Sequence, residues 1–214
     1  MSFSGTVKEE LLKHVPAARH CQIAELAAIL HFCGHYEGLD QETAQDIPAG
    51  SAWPNGKNVF VQNAEKTDKN TVKLFVQAEN EAVVRKCFTL LRKTFNINTS
   101  VNETFSKKTA GRPASCSILL EKPEEAAQVL QAAKFMDKDG RLTDLRDPVS
   151  SLIIKNACCQ RAFLRGAFLA AGSMSDPEKS YHLEIVCTNA AQAEQICSIL
   201  LLFQVEARIV QRKK

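Results

Sequence analysis

Two stretches of the chain are written to one plan, and any fold must satisfy both at once. Gln22 to Tyr36 reads QIAELAAILHFCGHY, and Gln160 to Asp176 reads QRAFLRGAFLAAGSMSD. Apolar residues recur at helical spacing in each, Ile23, Leu26, Ala27 and Leu30 in the first and Phe163, Leu164 and Phe168 in the second. Each therefore predicts a helix with a buried stripe. Each also carries small residues four apart, Ala24 and Ala28, then Gly166 and Ala170, and each closes on a glycine, Gly34 and Gly172. Helix faces without bulky side chains can approach closely, so the expectation is a central pair of crossed helices.

Around this pair the chain alternates between strand and helix patterns. Thr6 and Glu9 form a T-x-x-E capping box that predicts a first helix over Val7 to His14, stopped by Pro16. Gly38 to Asn58 reads as a loop, with Pro48, Gly50, Pro54 and Gly56 breaking any regular pattern, and Val59 to Val61 as a short strand. From Thr71 to Ala78 the alternation is clear: Val72, Leu74, Val76 and Ala78 on one face, Lys73, Phe75 and Gln77 on the other. Asn80 caps a helix striped by Val83, Cys87, Leu90 and Leu91. Ile97, Thr99 and Val101 then alternate as a strand, a basic loop carries Lys107, Lys108 and Arg112, and Cys116, Ile118 and Leu120 alternate on the return. Pro123 opens a helix that turns Leu130 and Ala133 inward and ends near Phe135.

The second part repeats the first. Leu74, Asn80 and Ala82 reappear as Leu183, Asn189 and Ala191, shifted by 109, and the strand faces agree, Val72, Val76 and Ala78 matching Tyr181, Ile185 and Cys187. With one residue lost in the helix, Phe95, Ile97 and Val101 become Phe203, Val205 and Ile209 at a shift of 108. The reading is an ancestral duplication: a first half with its N-terminal helix over 1–136, a polar connector over 137–150, and a second half over 151–214. Subtracting 108 from Lys214 gives Ser106, so the second half stops before any counterpart of the strand at Cys116 to Leu120 or of the helix after it. This predicts a sheet left short, and with it either a fragment of a longer chain or a second copy covering the surface.

Two helices ending in glycine, each heading a strand-helix-strand unit within one chain, resemble the LAGLIDADG homing-endonuclease architecture. The wording is closer still to the WhiA family of bacterial regulators. That resemblance rests on SFSGTVKEELL at the N-terminus, on AELAAILHFCG, and on CCQRAFLRGAFLAAGSMSDPEKSYHLEIVC from Cys158 to Cys187. It implies an α+β fold: a pseudo-twofold duplication with two mixed sheets packed with helices around the central pair. It further implies a DNA-binding transcriptional regulator of sporulation and cell division, acting in the bacterial cytoplasm at the nucleoid. In that family the endonuclease-like part precedes a C-terminal helix-turn-helix domain, which this sequence does not include and which would be the main contact to double-stranded DNA.

Chemistry separates regulator from nuclease. Endonucleases of this type place an acid just before each closing glycine, so that two carboxylates hold a divalent metal for phosphodiester hydrolysis. Those positions are Cys33 and Ala171, a poor Mg²⁺ ligand and no ligand at all. Glu25, Glu37 and Asp176 have no matching partner and read as solvated or capping groups, while Arg161 and Arg165 read as pairing with acidic neighbours. The expectation is no enzyme activity, no metal at the crossing and no cofactor. For auxiliary DNA contact the candidates are Lys73, Lys107, Lys108, Arg112, Lys179 and His182, set against the reading of each as a solvated surface group. The helix-crossing residues are Ala28, Gly34, Gly166, Ala170 and Gly172.

Composition limits the alternatives. Lys plus Arg number 27 against 24 Asp plus Glu, a net charge of +3, which permits nucleic acid as a partner without requiring it. No apolar run reaches the roughly 20 residues that cross a bilayer, so no membrane role is expected. The eight cysteines include no C-x-x-C pair and sit mostly in apolar periodic segments, which favours reduced, buried thiols. Cys158 and Cys159 sit next to Arg161, whose charge could lower a thiolate pKa, but a reducing compartment argues against a redox role. His31 and His35, four apart around Cys33, lack a third spaced ligand and read as core or solvated histidines. Three readings remain open: a regulatory module contacting proteins such as the transcription machinery or assisting DNA contact, a purely structural or dimerising module, and an active homing endonuclease. Oligomeric state is left open.

Overall fold

The computed structural model describes residues 2–37, 72–105 and 113–211. The expected loop at Gly38 to Asn58, the short strand at Val59 to Val61 and the residues Lys107, Lys108 and Arg112 lie outside them. The elements run α1 (Phe3–Lys13), α2 (Arg19–Cys33), β1 (Gly34–Glu37), β2 (Lys73–Ala78), α3 (Glu81–Phe95), β3 (Val101–Phe105), β4 (Pro113–Leu120), α4 (Pro123–Ala132), α5 (Ala157–Ala171), β5 (Gly172–Met174), β6 (Leu183–Ile185) and α6 (Ala190–Leu201).

The two central helices are α2 and α5, and they pack against each other more extensively than any other pair of helices. What lets them do so is Gly166: a Cβ there would lie 2.5 Å from the Glu25 carbonyl oxygen and 2.8 Å from the Ala28 Cβ. The backbones meet where side chains would otherwise hold them apart. Because partners surround it, α2 is buried nearly all round from Cys21 to Cys33, rather than along the single stripe its spacing suggested. The closing glycines serve space, not turn geometry. Gly34 and Gly172 have φ of −88° and −84°, open to any residue, but a Cβ on Gly34 would meet the Leu30 carbonyl oxygen at 2.5 Å. Each helix thus runs straight into a strand, β1 after Gly34 and β5 after Gly172, where the sequence suggested only a stop.

Both sheets are antiparallel throughout the described residues, not mixed as the resemblance implied. The larger has the order β1-β2-β4-β3, with Gly34 opposite Val76, Val76 opposite Ile118 and Val101 opposite Ile118. Val72, Leu74, Val76, Cys116, Ile118 and Leu120 face the core beneath α2, α3 and α4, as the alternation requires. The third strand begins at Val101; Ile97 instead folds back as a buried residue after Asn96, whose φ of 58° ends α3 in the left-handed region. The smaller sheet pairs β5 with β6 alone, and residues 205–211 form no strand. Its consequence is visible at equivalent positions: Leu74 is 1% exposed, while Leu183 is 57% and Tyr181 93% exposed.

Two local expectations shift. The first helix starts at Phe3, not Val7, because Ser2 is the cap and its hydroxyl accepts from the Gly5 amide at 3.1 Å. The polar connector does not hang free. Leu145 and Val149 are buried, the Gln195 side chain both donates to and accepts from the Val149 backbone, and the His31 imidazole meets the Leu145 carbonyl at 2.6 Å. It straps α6 to α2.

Gly166→Ala tests the crossing. Alanine is favoured over glycine inside a helix by about 1 kcal/mol, but here the methyl group meets fixed backbone, and overpacking of this kind costs about 1–3 kcal/mol. The expected outcome is a lower urea midpoint with an unchanged m-value.

Candidate functional site at the helix crossing

The crossing has a glycine end, a middle and an N-terminal end. At the glycine end Cys33 is buried and burial pushes its thiol up to about 12, so it stays protonated at neutral pH; Ala171 is half-buried. The charge that acts on Cys33 is a cation. Lys8 of α1 is buried with its ammonium 5.7 Å from the centroid of the Phe168 ring, and it acts electrostatically on the Cys33 thiol. Burial lowers the Lys8 pKa, with Cys33 opposing the shift. The sequence reading missed Lys8 because its neighbours Glu9 and Glu10 make it look like an exposed position on a charged helix.

The middle is held by three charges from three elements. Glu25 of α2 is fully buried, against the expectation of a solvated or capping group. Its carboxylate accepts from Arg165 Nε at 3.0 Å and Nη2 at 2.9 Å, and lies 3.2 Å from Lys86 Nζ. Lys86, also fully buried, donates as well to the backbone carbonyls of Leu11, Leu12 and His14, so it closes the exposed end of α1 against α3. Burial pulls its pKa down and Glu25 works the other way. With its charge offset by two fixed cations and both oxygens engaged, this carboxylate is a poor ligand for a divalent metal. Arg165 therefore pairs with an acid as expected. Among the described residues Arg161 has no acidic partner; it lies 5.0 Å over the Phe203 ring.

His31 and His35 part company. His31 is buried, donating from Nδ1 to the Leu145 carbonyl, and its Nε2 has no partner among the described residues. His35 lies on the sheet face stacked on Phe75, ring centroids 4.7 Å apart. They do not share a site. Of the other acids, Glu37 is exposed on β1 opposite Lys73, and Asp176 accepts from the Glu178 amide in a tight turn.

The open face of the larger sheet presents His35, Glu37, Lys73, Phe75, Gln77 and Ser117. Among the described DNA-contact candidates, Lys73 is the one on this face. Lys179 and His182 are exposed on the loop between β5 and β6, with His182 Nε2 3.5 Å from a Glu184 carboxylate oxygen.

Two glycine-ended helices crossed on antiparallel sheets within one chain define a LAGLIDADG-like module. Residues 160–214 match the family model described as the WhiA LAGLIDADG-like domain. Along its whole length the chain is 40% identical to the "Probable cell division protein WhiA" of Lachnoclostridium phytofermentans, covering 59% of it, and 33% identical to that of Lachnospira eligens, covering 57%. In fold it resembles the crystal structure of the N-terminal LAGLIDADG domain of WhiA, at TM-score 0.60 and 20% identity over 99% of this chain and 80% of that one. Full-length WhiA from Thermatoga maritima matches at the same TM-score and identity, over all of this chain and 55% of that one. Along its whole length the chain is thus similar to WhiA proteins, and residues 160–214 match that family's LAGLIDADG-like domain. The chain spans somewhat more than half the length of the curated relatives it matches.

Two measurements follow. Glu25→Gln leaves two buried cations facing each other, and breaking a buried pair in this way costs about 3–5 kcal/mol; urea unfolding should show a loss of that size. His31 has its pKa lowered from the ordinary 6.5 by burial. The unfolded chain therefore takes the proton first, so the stability held by neutral His31 is complete above about pH 6.5 and falls as the pH drops below it. His31→Gln should flatten the fall in urea midpoint between about pH 7.5 and 5.5.

Proposed function

We propose that this chain is the non-cleaving part of a DNA-binding transcriptional regulator of the sporulation and cell-division type, working at the bacterial nucleoid. Its task in that protein is contact with other proteins, for instance the transcription machinery, or auxiliary contact with DNA. The observation that carries the non-cleaving reading is the glycine end of the crossing, where Cys33, Ala171 and the Lys8 ammonium stand in place of two carboxylates. Metal-assisted hydrolysis needs ligands that attract a divalent ion, and a fixed cation repels one.

The same logic assigns principal DNA reading elsewhere in the longer relatives. Affinity for duplex DNA comes from Lys and Arg on phosphates. On the described sheet face Lys73 sits directly across from Glu37, so the charge there is nearly balanced. The mixed face, with its His35–Phe75 stack, suits protein contact better than a phosphate backbone.

Two assays on the 214-residue chain test this reading. Plasmid DNA incubated with Mg²⁺ or Mn²⁺ should remain uncut, and metal-dependent cutting would sink it. Fluorescence anisotropy with a duplex across a salt series should give a slope near zero for this chain and a steep one for a chain extended to the relatives' full length. A steep slope already present in the short chain, and reduced by Lys73→Glu, would move the DNA contact onto the sheet.

A further inference from the structure

At the end of the crossing away from Gly34 and Gly172, the first turns of α2 and α5 bring together His20, Cys21, Cys158 and Cys159. One imidazole nitrogen and three sulfurs lie within 4.8 Å of one another, with Cys158 Sγ 3.5 Å from His20 Nε2. The duplication makes the arrangement. The helices span Arg19–Cys33 and Ala157–Ala171, so His20 and Cys158 are second residues of their helices, and Cys21 and Cys159 third. Two pairs of adjacent residues, each ordinary alone, become four converging donors because the helices cross.

We propose that these four side chains form a structural Zn²⁺ site that pins the N-terminal ends of the two central helices. Zn–S bonds of about 2.3 Å and Zn–N bonds of about 2.0–2.1 Å put tetrahedral ligand atoms roughly 3.5–3.8 Å apart. The four atoms are within about 1 Å of that spacing, which small side-chain rotations close. Three sulfurs and one imidazole suit zinc and exclude Mg²⁺ or Ca²⁺. With every position filled by protein, such a site holds structure and does no chemistry.

A second feature points the same way. The other described α-helices each have a side-chain cap or first-turn acids: Ser2 for α1, Asn80 for α3, Asn189 for α6, and Glu124 with Glu125 for α4. Neither α2 nor α5 has either, so two positive helix ends converge on the cluster, which favours the net negative charge of a Zn²⁺ ion held by three thiolates. Access is built in as well, since Cys21 and Cys159 are buried floor ligands while His20 and Cys158 are exposed and can close over an entering ion. Binding releases the thiol protons. Affinity should therefore weaken as pH falls.

The test is a titration of the reduced, anaerobic 214-residue chain with Co²⁺, whose tetrahedral thiolate complexes absorb characteristically, followed by Zn²⁺. The expected result is saturation near one equivalent, bleaching of the bands by Zn²⁺, and a rise in Tm with Zn²⁺. The double variant His20→Ala/Cys158→Ser changes exposed residues only, so it should keep the far-UV circular dichroism of the parent while losing about 100-fold or more in affinity; Cys197→Ser should match the parent. Absence of tetrahedral cobalt bands overturns the proposal, and so does an unchanged spectrum in the double variant. Thiol counting that finds the cysteines joined as a disulfide, with no metal taken up after reduction, overturns it too.

Discussion

The contact between Gly166 and the backbone of α2 is what the remaining architecture depends on. Two helices in such close contact leave no room between them for side chains, so polar groups on their flanks must find partners at once or be expelled. Glu25 is caught there. Its carboxylate is desolvated by the approach of α5, and Arg165, one residue before Gly166, answers it from the same helix that buries it. Lys86 reaches in from α3 and at the same time binds the free carbonyls at the end of α1. A single steric fact thereby recruits three helices around the central one.

The same crossing explains how a scaffold of this type can keep its shape without paired carboxylates and their metal at its glycine end. Paired carboxylates at the glycine end repel each other unless an ion lies between them. In this chain the repulsion is gone, since a protonated thiol and a methyl group occupy those positions and Lys8 brings α1 against them. The crossing is consolidated by packing at its glycine end and by charge in its middle. Its N-terminal end gathers thiols and an imidazole, which is soft-metal chemistry at the opposite pole from the place where hard-metal chemistry would have been.

The two halves are alike in plan and unequal in cover. Four strands beneath α3 and α4 bury Leu74 completely, whereas β5 and β6 leave Leu183 open. The strap over 137–150 compensates in part, because Leu145 and Val149 are buried and the strap is bonded to α2 through His31 and to α6 through Asn189 and Gln195.

Helix periodicity, the small-residue spacing and the alternation of Val72 to Ala78 are local patterns, and the sequence alone determined from them the helix pair, the principal strand with its buried face, and the duplication. It also determined what the crossing lacks, since Cys33 and Ala171 are read directly. Partnership across distance was decided by the tertiary structure. Glu25 and Arg165 lie 140 residues apart, and nothing near Glu25 says that it will be sealed from water; the local reading made it a surface acid. His20 and Cys21 gave no signal for the same reason, for two adjacent donors chelate poorly until a second pair is delivered by another helix. Periodicity reports which face of an element is buried. Only the packed chain reports which groups are buried together, and charge pairing and metal ligation depend on that.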